Sequence, residues 1–245
     1  MATESLSFRL RIAHDHEDLQ RVCAVRSLGY GHHLPDLADG LLDPDLQDGD
    51  PSTVILLVED KLTGRAIGTA RVQVTTRGSG RLSIEQCIEL PDHIRDHGRA
   101  EITRLSAIPG ADPRVRLALW KAGYLYCLAT QARWLLIGAR SPALVRSYRR
   151  LGADELYEDG RTVPLSYAGG LPHHVLTFNV MAAERDWFVS NNALYGFMFD
   201  TVHPDLHLFS PRSLFDPIPS LRPLRPPESR PHIDAQTSAP GELID

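Results

Sequence analysis

The run Trp134 to Ala139 (WLLIGA) is apolar at every position, and Ser141-Pro142 follows it at once as a helix cap and first-turn proline. Six residues with no polar face read as a strand covered on both sides, and the helix that follows, closed by Gly152, supplies one of the covers. Such a unit demands a layered α/β domain with a partly parallel sheet.

The rest of the chain fits that frame. Arg9 to Ala13 is a short strand, and Asp15 with Asp18 signals a helix running to about Gly29. Thr53 to Glu59 and Ala66 to Thr75 form a hairpin about the turn Lys61 to Gly64, and Glu101 to Ile108 is a further strand. Asp112-Pro113 opens a helix with the stripe Val115, Ala118, Leu119, Ala122, Leu125 and Ala129. His174 to Met181 is a late strand, and Ala183 to Phe199 an amphipathic helix whose Trp187, Phe188, Leu194, Tyr195, Phe197 and Phe199 suit core packing, a channel wall or a dimer contact. Pro35 to Pro51, with Asp36, Asp39, Asp43, Asp45, Asp48 and Asp50, reads as an irregular acidic loop. Half of the chain's 18 prolines follow His203, so the expected layout is one domain over 1–202 and an extended or disordered Pro-rich tail over 203–245.

Composition narrows the function. Against 26 Lys plus Arg stand 31 Asp plus Glu, a net charge of −5, and no basic block is interleaved with aromatics, which argues against nucleic acid. No 20-residue apolar span and no leader-like N-terminus are present, so neither export nor stable membrane insertion is expected, and a cytoplasmic location is. Cys23, Cys87 and Cys127 form no CxxC pair. His203 and His207 flank Asp205 at a metal-like spacing, but Pro204 opposes a rigid site, and no metal is expected.

Five positions stand out by chemistry. Arg26 falls on the inward stripe of the first helix with Leu19, Val22 and Cys23; it either snorkels at the helix edge or meets a buried carboxylate, the partner being the favoured reading. Arg71 lies mid-strand on a polar face with Thr69 and Gln73, facing either solvent or a wet cavity. Glu101 and Arg104, three apart, point to opposite faces of a regular strand and form at most an edge ion pair, whereas a bulge would bring both to one cavity and free backbone amides. Tyr148 belongs to the apolar stripe of its helix and reads first as packing.

The element order, ending in Ser141-Pro142-Ala143-Leu144-Val145-Arg146-Ser147-Tyr148-Arg149-Arg150-Leu151-Gly152-Ala153, resembles the GNAT acyltransferase superfamily, chiefly through the Tyr148 and Gly152 spacing. A sharper resemblance is to the branch that holds acyl-homoserine-lactone synthases and FeeM-type N-acyl amino acid synthases. It spans about Arg9 to Tyr157 and rests on Arg26, Asp45 with Asp48, Arg71, Glu101 and Arg104 in that order. EITRLS is similar to the family's Glu-x-x-Arg-Phe, with Leu105 for the aromatic, and Tyr30 to Pro35 lacks the tryptophan of lactone synthases.

The resemblance implies a GNAT-like fold, a mixed central sheet flanked by helices, in which Arg26, Asp45, Asp48, Arg71 and Arg104 form an electrostatic cluster that organises the acceptor. It implies direct attack of an amine on a thioester, with Glu101 as general base, amides near Leu105, Ser106 and Ala107 holding the oxyanion, and Tyr148 as a candidate acid for the leaving thiolate. Coenzyme A-using GNAT enzymes carry a Gln/Arg-x-x-Gly-x-Gly/Ala turn where this chain reads Pro109-Gly110-Ala111-Asp112-Pro113-Arg114-Val115-Arg116, a poor pyrophosphate cradle. The expected donor is therefore an acyl carrier protein thioester, with acyl-CoA the other option and no bound cofactor. Arg114, Arg116, Arg146, Arg149 and Arg150 are candidates for the carrier's docking face. An N-acyl amino acid is the expected product; a lactone synthase, a GNAT enzyme acting on another amine and a non-catalytic acyl-binding module are the alternatives, and the oligomeric state is open.

Overall fold

The computed structural model describes residues 2–31 and 38–209. His32-His33, residues 35–37 of the acidic stretch and the chain beyond 209 lie outside the described residues. Strands β1 (Ala2–Thr3) and β2 (Phe8–Ile12) lead into helix α1 (His16–Gly31), and two short 3-10 turns (Asp39–Leu41 and Leu46–Gly49) precede the hairpin β3 (Thr53–Asp60) and β4 (Ala66–Thr75). A 3-10 turn (Ser83–Gln86) and one helical turn, α2 (Asp92–Arg95), connect to β5 (Arg99–Ala107), α3 (Arg114–Ala129), β6 (Trp134–Ala139) and α4 (Pro142–Arg150). The chain ends in β7 (Asp154–Glu155), β8 (Val163–Leu165), β9 (Leu171–Asn179), α5 (Ala183–Val189), a π-helical turn (Gly196–Asp200), β10 (Thr201–Val202) and β11 (Leu206–His207).

The main sheet has the order β11-β2-β3-β4-β5-β6-β9-β7, with β8 beside β9. Only β5 with β6 and β11 with β2 run parallel, so the apolar run of β6 sits, as its sequence requires, in the interior of a mixed sheet. One sheet face packs Ala70, Val72, Ala100 and Ile102 against Val115, Ala118, Leu119 and Ala122 of α3. Opposite it, α1 sets Leu19 and Val22 on Ile55 and Leu57. The polar face of β4 thus lies under α1 and is buried. Arg71 is 2% exposed and Thr69 fully covered.

Two irregularities shape the middle of the sheet. Between Thr69↔Ser106 and Arg71↔Thr103, β4 advances two residues while β5 advances three, a bulge that places Arg104 at φ 55°. A non-glycine residue there costs roughly 1–2 kcal/mol. Beyond Ile102↔Ile137 the parallel ladder ends: β5 runs on to Ala107, while Gly138 and Ala139 pair with β9. The two strands part where a bulge has sharpened the local twist. Against this opening, Gly29 of α1 comes so close that a Cβ would lie 2.0 Å from Ser106 Oγ.

Two expectations need correction. The helix forecast over 183–199 breaks after Val189, because Asn191 turns to φ 49° and Asn192 spends its amide on Leu194 N–H (2.9 Å) and Arg150 carbonyl (3.1 Å). Side-chain amides compete with the helix ladder for the same backbone groups. Trp187 and Met198 are core, but Phe188 is 71% exposed. The chain also stays folded past residue 202. Asp205 accepts the Leu6 amide and pairs with Lys61 (2.7 Å), β11 extends the sheet, and Nδ1 of buried His203 accepts from Lys121 at 3.1 Å.

Lys121 anchors this last segment, with Nζ 2.7 Å from Phe197 carbonyl and 2.6 Å from Thr201 carbonyl. Lys121→Met strips two half-buried carbonyls of a charged donor and is expected to lower stability by about 2–3 kcal/mol. Urea unfolding measures the loss, and hydrogen exchange is expected to accelerate first across 197–203.

Candidate active site

The acidic loop reads as irregular, yet it delivers a fully buried carboxylate. Asp45 caps the turn 46–49 by accepting Gln47 N–H (3.1 Å), and Asp48 reaches back to the Asp45 amide at 3.0 Å. This reciprocal cap turns Asp48 inward. Arg26, 1% exposed on the sheet-facing side of α1, grips it with both terminal nitrogens at 2.7 and 2.8 Å. The partner reading of Arg26 is the correct one. Arg71 reaches Asp48 at 3.2 Å, bonds Asp45 and Gln47, and donates from Nε to Thr103 Oγ1 at 2.9 Å. Arg104, lifted by the bulge, donates to Asp45 at 3.1 Å.

Five of the residues singled out in the sequence therefore form one network on one face of the sheet. Three arginines against two aspartates leave it one net positive charge, and Asp45 and Arg104, with side chains 32% and 19% exposed, are the members that reach the surface. Burial alone would raise the Asp48 carboxyl, but the hydrogen bonds and charges of Arg26 and Arg71 outweigh it and hold the group below the usual aspartate range.

Glu101 is in the same layer and outside this network. The edge ion pair with Arg104 does not form. Glu101 is 1% exposed and is held by two neutral donors, the Ile84 amide at 2.9 Å and the Tyr167 hydroxyl. Burial raises its carboxyl above the ordinary glutamate value, outweighing both hydrogen bonds and the charge of Arg71. A buried carboxylate without a contacting cation is a stronger base than a solvated one.

Where β5 ends, between the last turns of α1 and the start of α3, lies a cleft of about 480 Å³ lined by Gly29, Ala107 to Pro113 and Arg116. Leu105 and Ala107 are half-buried and Ser106 is buried on the free edge of β5. Asp112 does not face the cleft as a bare charge. It pairs with Arg114 (2.7 Å), accepts Ser7 Oγ (2.9 Å) and takes the Arg114 amide (2.9 Å), which holds its carboxyl down at about 2. The first amide of α3 is thus already capped by the chain itself.

Tyr148 is buried on α4 with its ring stacked on Trp120, centroids 5.9 Å apart. Tyr30, in the last turn of α1, lies within electrostatic reach of Tyr148, Arg104 and Arg116. Burial raises both phenols. Sequence reasoning passed over Tyr30, Gln47, Thr103, Ile84 and Tyr167. Thr103 carried a signal, since the pairing that puts it opposite Arg71 follows once the bulge is granted; Tyr167 carried none, being 66 residues from its partner.

Asp48→Asn would leave two buried guanidinium groups short of a countercharge and is expected to cost about 3–5 kcal/mol at pH 7. Because the folded carboxyl is held low, wild-type Asp48 contributes its full stabilisation above the ordinary aspartate value of 3.8 and loses it as pH falls through the lower folded value. The gap between the two proteins is therefore expected to narrow below about pH 4, as read by urea unfolding across a pH series.

No family model and no curated protein matches the chain. Among solved structures, the fold is shared with FeeM, an N-acyl amino acid synthase from uncultured soil microbes, at TM-score 0.53 and 15% identity, over 78% of this chain and 98% of that one. BjaI, a CoA-dependent acyl-homoserine lactone synthase solved with SAM and isopentyl-CoA, aligns at TM-score 0.54 and 16% identity over 85% and 100%. TofI, in a complex with an inhibitor and MTA, aligns at TM-score 0.51 and 19% identity over 73% and 94%. The GNAT-like fold expected from the sequence is the fold observed.

Proposed function

We propose that the protein is an N-acyltransferase that moves a fatty acyl group from a carrier-protein thioester to the α-amine of an amino acid, yielding an N-acyl amino acid. One observation carries the reading: β5 and β6 part beside a bulge, leaving the β5 edge beyond Ile102 unpaired on that side, on a strand that also carries Arg104 of the cationic cluster and the buried, unneutralised Glu101. An extended donor arm rich in amides can pair with the free edge of β5 as a strand would. Its thioester carbonyl then sits near the backbone of Leu105 to Ala107.

Direct attack needs an amine that has lost its proton. Glu101, directly or through a water, is the group suited to take it, since burial raises its basicity. Amine nitrogen bonds the carbonyl carbon, the oxyanion forms against the β5 amides, and the C–S bond breaks as the thiolate leaves. Tyr148 is the candidate to return a proton to sulfur. Arg104, which gives only Nη2 to Asp45, offers a carboxylate-bearing acceptor its remaining donors.

A donor held without its phosphates fits the loop before α3. Pro113 has no N–H and the Arg114 amide belongs to Asp112, so the helix N-terminus that would cradle a pyrophosphate is taken. On the surface nearby, Arg114 is committed to Asp112 and Glu4, and Arg149 to Glu155. Arg116, Arg146 and Arg150 are exposed and have no ion-pair partner among the described residues, which suits an acidic carrier protein.

Expression in a bacterium that supplies acyl carrier proteins, with mass spectrometry of the extract, tests the reading. New N-acyl amino acids are expected, falling by about 10²-fold or more in Glu101→Gln. The control is a fair one: a group whose folded value is raised loses stability as pH rises through that value, so the neutral amide is expected to be at least as stable at pH 7 by thermal melting. Acyl-homoserine lactones in the extract would shift the assignment to a lactone synthase. A folded protein that transfers nothing from either carrier or coenzyme A thioesters would leave a binding module.

A further inference from the structure

Glu101 is anomalous among the buried carboxylates of this layer. Asp48 is gripped by arginine, and Glu85, in the same turn that supplies the Ile84 amide, is paired bidentately with Arg99 at 2.8 and 2.9 Å. Every arginine near Glu101 is committed elsewhere: Arg26 to Asp48, Arg71 to Asp45 and Asp48, Arg104 to Asp45. On β4 its neighbour in register is Gln73, whose amide is spent on Ser83, Ser52 and Asp50, and on β6 it is Leu136.

What reaches the carboxylate comes from outside the sheet core. Tyr167 sits in the 3-10 turn Ser166–Ala168 that joins β8 to β9, and its hydroxyl has Glu101 as its one hydrogen-bond partner among the described residues. That turn is pinned at both ends. Cys87 Sγ lies 3.3 Å from both the Ser166 amide and Ser166 Oγ, and Gly169 and Gly170 both take φ 70° to close it. The ring packs into the small apolar cluster of Ile84, Leu136, Leu165 and Val175, a place that phenylalanine would fill equally well. The hydroxyl is therefore surplus to packing.

We infer that Tyr167 is the positioning residue of Glu101, fixing the orientation of its carboxylate and favouring the ionised form where no arginine touches it. What Glu101 does with that ionisation rests on the acyl-transfer reading above; what holds it rests on the geometry alone. With Ile84 N–H on Oε2 and Tyr167 O–H on Oε1, each oxygen keeps a further lone pair for an incoming proton. The charged and titratable groups facing the site are Arg71 on β4, Glu85 in the 83–86 turn, Cys87 beside the Tyr167 turn, and Tyr167 itself.

Titration of the Glu101 side-chain carboxyl by carbon NMR, with the resonance identified by its absence in Glu101→Gln, tests this without needing turnover. Tyr167→Phe removes one donor to the ionised form and is expected to move the midpoint up by about one to two pH units. Replacing Tyr167 with 3-fluorotyrosine, a more acidic phenol and so a better donor in the same space, is expected to move it down. Where turnover is measurable, the acid limb of the kcat/KM profile in Tyr167→Phe is expected to follow the same shift while KM for the acceptor holds. An unchanged midpoint in both variants would overturn the assignment. Absence of acyl transfer by the wild-type protein would instead overturn the function, since the NMR midpoint is read from the resting protein.

Discussion

The bidentate pair between Arg26 and Asp48 is the contact on which the site depends. A guanidinium on the sheet-facing side of a helix can be desolvated only against a carboxylate in matching geometry, and the acidic loop supplies one by capping its own turn with Asp45 and Asp48. Once that pair is in place, the loop is fixed over the sheet, Asp45 is presented to Arg71 and Arg104, and the polar face of β4 is roofed. Remove the pair and α1, the loop and β4 have no common anchor on this face.

The bulge at Arg104 is the second constraint, and it acts through the backbone. One extra residue on β5 turns Arg104 to the same face as Glu101 and Thr103, and the strand beyond it no longer follows β6. Both the unpaired edge of β5 and the approach of Arg104 to Asp45 follow from that irregularity. The left-handed conformation of Arg104 is paid for by its ion pair with Asp45 and by the pairing of β5 with β4 on either side of the bulge. Strain, charge and opening therefore coincide within a few residues, the usual company of a chemical site.

The two carboxylate environments divide the work. Asp48, surrounded by arginines, is an acid too strong to move protons near neutrality and serves as structure. Glu101, buried among neutral donors, is left basic. Three segments far apart in the chain converge to make that difference: β5 itself, the 83–86 turn and the turn after β8. A pair of carboxylates with opposed environments is how one fold separates a scaffold from a base.

Much of this could be read from the chain. Apolar patterning settled β3, β4, β6 and α3, and the inward placement of Arg26 on its helix favoured a buried acid as its partner, because local periodicity decides which face a side chain takes. Local signals failed where side chains competed with backbone, as at Asn191 and Asn192, and where a proline-marked stretch at 203–209 still found sheet and lysine partners. Sequence by itself determined that Arg26 falls on an inward helix stripe and that only a bulge would bring Glu101 and Arg104 to one face. Only the tertiary structure decided that Asp48 rather than Glu101 answers the arginines, and that a tyrosine 66 residues away takes the glutamate. Pairing across the fold is set by which elements share a layer, and no spacing along the chain encodes that.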